Sequence, residues 1–269
     1  MTGSRERLLY VDPKYRVRDS IDRGLDFVFL RAVREIETSG TEANIPQKGG
    51  LVVGFAPHNG WIEPIAIDHF LRKKRADKRG GVWVTRKENA QEIPAVLTGE
   101  RRFIYIDRDY PKPSIFRKVA SVLQNQGVIA SAFEGTRYGS GDREGGDILT
   151  LGKFKPGLVL FARRHNIPIL PVVVLGAERI IPSPEKIKVK YGILGVVREL
   201  IKEITAGDDL LQVRFLPLYD EHLSSGDELP DRDEFLNHHT RLLAEKMVGE
   251  IRRLRTDYPL GYYREGGSF

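Results

Sequence analysis

Five short apolar runs, set between stretches of helical pattern, limit what this chain can fold into more than any other feature. The runs are 51–56, 81–85, 103–106, 128–133 and 167–175. Helix candidates lie between them near 64–75, 88–98, 113–126 and 156–165. The third is bounded by Pro113 at its start and Gly127 after its end, which are the expected punctuation of a helix. Short unbroken apolar runs suit strands buried on both faces, and strand–helix alternation implies parallel pairing. The expected class is therefore α/β: a single domain with a mostly parallel or mixed central sheet and helices on both faces. A length of 269 residues fits one such domain.

The flanks are read in the same way. Residues 1–45 are expected to form an arm and an amphipathic helix, from Ser20 to about Thr38, stopped by Gly40. Its stripe of Ile21, Leu25, Val28, Phe29, Ala32, Val33 and Ile36 either packs on the domain or lies in a membrane interface, flanked by Arg23, Arg31 and Arg34. The α/β core is expected over 46–220. Its last part holds strands 186–191 and 211–216 at one edge of the sheet, with an amphipathic helix over 193–205 between them. Residues 221–269 are expected to give a long helix, 231–255, and a loose tail after Pro259. His238 and His239 are neighbours, so they point to different parts of that helix and read as surface or packing residues rather than a metal pair.

Composition narrows the class of function. No run approaches the ~18–20 apolar residues of a membrane span, and the stretch 167–177 is interrupted by Pro168 and Pro171. The N-terminus has no signal-peptide apolar core. The absence of cysteine excludes a disulfide framework, a thiolate nucleophile and a cysteine zinc site, and fits a reducing compartment. Lys and Arg number 43 against 37 Asp and Glu, a net charge of +6. The densest basic run is Arg72-Lys73-Lys74-Arg75 with Lys78 and Arg79. It is either a solvated helix end matched to the helix dipole, or a contact to an anionic membrane surface or to cofactor phosphates. It lacks interleaved aromatics, and no nucleic-acid-binding signature accompanies it, so nucleic acid is not an expected partner.

Ligands of parallel α/β sheets bind beyond the carboxyl ends of the strands. Those ends carry a coherent polar set here. Run 51–56 leads to His58 and Glu63, run 81–85 to Arg86 and Lys87, run 103–106 to Asp107 and Arg108, and run 128–133 to Glu134, Gly135, Thr136 and Arg137. His58 and Glu63 are five residues apart. On a continuous helix that spacing turns through roughly 500°, leaving the side chains about 140° apart. They can meet if Asn59-Gly60 turns and the helix starts only near Glu63, a start that Pro64 favours. The composite is a histidine base, with a carboxylate to orient it, beside an anion-binding pocket.

With these blocks in view, the chain resembles the glycerolipid acyltransferase family, the group typified by bacterial lysophosphatidic acid acyltransferase. The family's His-x4-Asp block is similar to His58 and Glu63, with Glu for Asp. Its apolar strand ending in Asp-Arg is matched by Phe103-Ile104-Tyr105-Ile106-Asp107-Arg108. Its Phe-Pro-Glu-Gly-Thr-Arg block is matched by Phe133-Glu134-Gly135-Thr136-Arg137 without the proline. The following Phe-Lys-x-Gly appears as Phe154-Lys155-Pro156-Gly157, and the proline-rich strand as Ile167-Pro168-Ile169-Leu170-Pro171-Val172-Val173. The blocks stand in the family's order over roughly residues 50–177.

The resemblance implies an acyltransferase in which His58 deprotonates an acceptor hydroxyl and Glu63 orients His58. It implies that Arg108 and Arg137 hold the acceptor's phosphate, with Glu134 bracing them. Arg86 or Lys87 would stabilise the oxyanion, and Gly135 and Thr136 would line the substrate. The implied acyl donor is acyl-CoA or acyl carrier protein, and the implied acceptor is a lysophospholipid or related glycerol phosphate. No further cofactor and no metal is called for. Pro57 where the family commonly has Asn, Glu63, and the missing proline mark a divergent branch. Such a branch is compatible with an acceptor other than a glycerolipid, or with a non-catalytic lipid- or membrane-binding relative on the same fold. The implied location is the cytoplasmic side of the membrane, held peripherally through the lipid surface by 20–38, 72–79 and 193–205.

Overall fold

The computed structural model describes residues 35–58, 62–78, 80–87, 102–107, 112–135, 151–177, 210–224 and 232–263. Within them the strands are β1 (Glu35–Glu37), β2 (Leu51–Ala56), β3 (Gly81–Arg86), β4 (Phe103–Ile106), β5 (Val128–Ala132), β6 (Ile169–Leu175) and β7 (Leu210–Phe215). They join in one sheet of order β1-β7-β6-β2-β5-β3-β4. Every pairing is parallel except that of β6 with β7. The helices are α1 (Ile62–Lys74), α2 (Pro113–Gln124), α3 (Gly157–His165), the short α4 (Glu221–Ser224) and α5 (Arg232–Leu254). This is the expected α/β architecture with its mixed sheet.

Burial follows the sequence pattern. β2 and β6, the two longest unbroken apolar runs, lie at the centre and are buried along their whole length. Successive side chains of a strand point to opposite faces, so β2 feeds both layers of the core. Val53 and Phe55 pack with Trp83, Val172 and the α1 residues Ile67 and Leu71. Val52 and Ala56 pack on the other face with Ile129 and Val173, under α2, α3 and α5. α2 shows how little sequence is needed for its place. Pro113 opens it, and Ile115, Val119 and Leu123, four residues apart, form its buried stripe. Burying each such side chain is worth roughly 1.5–3 kcal/mol.

Two expectations are corrected. The helix read to Thr38 does not reach that far, because Glu35, Ile36 and Glu37 are strand and pair with Leu210, Leu211 and Gln212. The polar–apolar–polar order of these three residues suits a strand as well as a helix, and only a strand can satisfy the open backbone edge of β7. Hydrogen bonds from Ser39, Gln212 and Arg214 hold the Glu37 carboxyl down at about 2. The tail is also not loose as far as Tyr263, since Tyr262 donates its N–H to Leu151 and Leu151 donates to Pro259. His239 is a packing residue, with its Nδ1 2.5 Å from the Tyr219 hydroxyl, and burial lowers its imidazole to about 4. The expected helices 88–98 and 193–205, the strand 186–191 and residues 20–34 lie outside the described residues.

The basic run is divided between core and surface. It sits at the amino edge of the sheet, where α1 ends, with Arg72 and Arg75 turned inward and Lys73 and Lys78 exposed. Arg75 has no exposed surface. Its guanidinium donates to the carbonyls of Pro46, Gly49 and Gln126, which precede β2 and β5, and pairs with Asp77. Arg72 bonds the buried Asp68 at 2.8 Å, which also accepts the Gly81 N–H at 2.7 Å and an Arg102 guanidinium bond. Lys74 pairs with Glu42 at 3.4 Å. Arg72 and Arg75 thus fasten the loops at the amino edge. Replacing Arg75 by Met leaves those three carbonyls without their donor. The expected loss is about 3 kcal/mol, a Tm drop on the order of 10 °C, read by thermal melting. An unchanged Tm would return Arg75 to the surface.

Candidate active site

β2 runs out at Ala56, Pro57 follows through a cis peptide bond, and His58 comes next, half-buried. The imidazole stands edge-on to Phe55 at 5.1 Å, and Phe55 in turn meets Trp83 at 5.8 Å. These rings belong to the layer under α1, so they set the imidazole on that side of the sheet. Glu63 lies in the first turn of α1 and is fully buried. The helix N-terminus supplies partial positive charge there, which suits a carboxylate.

The second acidic group of interest, Glu134, follows the neighbouring strand β5. Its Oε1 accepts the backbone N–H of His58 at 3.0 Å. Its Oε2 accepts the backbone N–H of Gly152, also at 3.0 Å. The turn that aims it back depends on Gly135, whose φ of 69° is left-handed and whose N–H returns to Ala132 at 3.1 Å. A residue with a Cβ takes that conformation at a cost. Two donors favour the ionised form of Glu134, but burial opposes it more strongly, and the charge of Glu63 adds to burial. The net effect pushes the carboxyl up to about 8. Glu134 thus ties the main chain of His58 to Gly152 at the carboxyl edge, and Glu63 opens the helix that follows His58.

Phe133 stands directly before Glu134, where the resembled block has proline. Its ring stacks on Phe154 at 5.0 Å and lies over Gly54, where an added Cβ would meet the ring at 2.2 Å. A glycine in the middle of β2 is therefore required by the ring beside it.

Arg86 ends β3 on the same edge. Its Nε is buried and meets no acceptor among the described residues. A buried guanidinium nitrogen without a partner is costly, and an anionic ligand would relieve it. Lys87 follows, exposed. Ile106 pairs with Arg86 across β3 and β4, with Asp107 next in the chain. Arg108, Thr136 and Arg137 lie outside the described residues, as do 59–61. Two contributors had not been singled out from sequence. Gly152 had as its only signal a position shortly before the Phe-Lys-x-Gly block, and Tyr263, whose hydroxyl accepts the Phe154 N–H at 2.9 Å, had none.

Fold and site together define an α/β protein with a histidine, two buried carboxylates and a cation gathered where such sheets bind ligands. The acyltransferase family profile matches residues 35–175. The chain belongs to that family. Its fold is similar to the crystal structure of the 1-acyl-sn-glycerophosphate (LPA) acyltransferase PlsC from Thermotoga maritima, with a TM-score of 0.55 and 16% identity over 93% of this chain and 86% of that one. At such low identity the likeness concerns the fold. No curated protein sequence matches the chain.

Glu134 makes a signed prediction. Its native carboxyl is raised to about 8 from the ordinary 4.5, so between those values the native state holds a proton that the unfolded chain has released. Stability must then fall as pH rises through that window. Urea unfolding of the parent and Glu134→Gln from pH 5 to 9 measures this. The stability advantage of the parent should shrink with rising pH, and a constant difference would contradict it.

Proposed function

We propose that this chain moves a fatty acyl group from acyl-CoA or acyl carrier protein to a hydroxyl of a lysophospholipid or related glycerol-phosphate acceptor. The observation that carries the reading is His58 at the end of β2 with buried Glu63 opening the next helix, inside the region the family profile matches. The named activity of the Thermotoga maritima protein, whose fold is similar, agrees with it.

In this mechanism the acceptor hydroxyl gives its proton to His58 as its oxygen attacks the thioester carbonyl. The carbonyl electron pair moves to oxygen, forming a tetrahedral oxyanion. Arg86, with its buried Nε, or Lys87 stabilises that charge. Collapse re-forms the carbonyl and breaks the C–S bond, and the leaving thiolate takes the proton from the imidazolium. Glu63 keeps the imidazole oriented and favours its charged form. Arg108 and Arg137 hold the acceptor's phosphate through bidentate guanidinium contacts, with Thr136 beside them. Glu134 serves the site by holding the main chain of His58. The steps need no covalent enzyme intermediate. The acceptor's acyl chain places the protein at a lipid surface, and peripheral association with the cytoplasmic face of the membrane belongs to the same reading. Among the described residues no helix is long and apolar enough to cross a membrane.

General-base assistance is worth ~10²–10⁴-fold, so His58→Ala should lower acyl transfer by about that factor. Glu63→Gln should lose much of the same activity and Glu63→Asp should be mildest, with kcat as the readout and Tm as the folding control. A Glu63→Gln enzyme as fast as the parent would remove Glu63 from the mechanism.

The cations separate by kinetic constant. Arg86→Gln should lower kcat by about 10²-fold, as loss of an oxyanion donor does. Arg137→Lys should instead raise KM for a phosphate-bearing acceptor. Steady-state kinetics with labelled acyl-CoA and a panel of lysolipids measures both. A parent that binds lipid vesicles but transfers no acyl group would be a lipid-binding relative.

A further inference from the structure

The C-terminal segment, outside the matched family region, reaches the site through a short chain of hydrogen bonds. Pro259 accepts the Leu151 N–H at 3.2 Å, and Leu151 accepts the Tyr262 N–H at 3.1 Å. Tyr263 is buried, takes the Phe154 N–H on its hydroxyl at 2.9 Å, and sets its ring edge-on to Phe154 at 5.5 Å. These contacts bracket Gly152, whose own N–H goes to Oε2 of Glu134. The same segment is tied to the strand end on its other side. Lys155 donates to the Phe133 carbonyl at 2.8 Å, and Phe154 stacks on Phe133.

We propose that residues 258–263 are a positioning element of the catalytic centre, acting on the main chain of His58 through Gly152 and Glu134. Its catalytic consequence rests on the acyl-transfer reading; the mechanical coupling does not. Glu134 is the link because its two oxygens are divided between the two segments: one holds His58, the other Gly152. A shift of 151–154 moves the Gly152 N–H, and the carboxyl must either follow it or release it. In both cases the N–H bond that fixes His58 after β2 is disturbed. Electrostatics agree with this proximity. Burial, with smaller contributions from Tyr262 and Glu134, pushes the Tyr263 phenol well above its ordinary range. The Tyr263 hydroxyl is the most selective point to cut, since phenylalanine keeps the ring and removes only the acceptor.

The experiment compares the parent with Tyr263→Phe, and with Leu218→Ala as a control on an exposed side chain outside the element. Three quantities are read well below either Tm: amide exchange of His58 and Gly152, kcat, and KM for the acceptor. Tyr263→Phe should speed exchange at His58 and Gly152 by about 10-fold. It should lower kcat by about 3–10-fold and leave KM nearly unchanged, because a loosened base is misplaced rather than removed. Leu218→Ala should match the parent in all three. A lowered Tm with unchanged exchange at His58 overturns the coupling. Faster exchange with unchanged kcat overturns the positioning role. If the parent transfers no acyl group at all, the acyl-transfer reading fails, and the exchange measurement still decides the coupling on its own.

Discussion

A single buried carboxyl, Glu134, holds the carboxyl edge of this protein together, since its two oxygens accept backbone N–H bonds from His58 and Gly152. These segments are far apart in sequence and have no ladder in common. A backbone donor buried without a partner costs about 1–3 kcal/mol, so the carboxyl settles two such costs at one point. The geometry also limits what Glu134 can do otherwise. With both oxygens turned to main chain and almost no exposed surface, it is a brace for the segment that carries His58. Burial and Glu63 drive it toward the uncharged form, which limits repulsion between two neighbouring carboxylates.

The opposite edge of the sheet is held by charge of the other sign. Arg75 gathers the carbonyls that precede β2 and β5, while Asp68 gathers Arg72, Arg102 and the start of β3. Each is fully buried, and each is satisfied by several partners, as a buried charge must be. The two edges therefore divide the work. The amino edge fixes where the strands begin and has its charges consumed by structure. The carboxyl edge keeps His58 half-exposed and a guanidinium nitrogen of Arg86 without an acceptor among the described residues.

Much of the fold was legible because strand burial and helix amphipathicity are written in local periodicity. The runs that became β2 through β6 carry their burial in unbroken apolar residues, and α2 carries its boundaries in Pro113 and Gly127. The strand β1 was not legible. Three residues of polar–apolar–polar order fit either period, and the free edge of β7 decided between them. Within the basic run the place of Arg75 was not legible either, because composition counts arginines but does not say which carbonyls wait nearby.

For the site, the sequence by itself determined which side chains end the strands: His58, Arg86, Lys87 and Glu134, with Glu63 opening the next helix. Chain direction settles this, because a parallel sheet collects the residues following each strand on one edge. Only tertiary structure decided how they are supported. Glu134 facing the main chain of His58, Phe133 over Gly54, and Tyr263 holding Phe154 are contacts between segments with no local pattern in common. Their specificity comes from backbone groups, which every residue carries alike, and a donor of that kind has no letter in the sequence until the fold brings its acceptor to it.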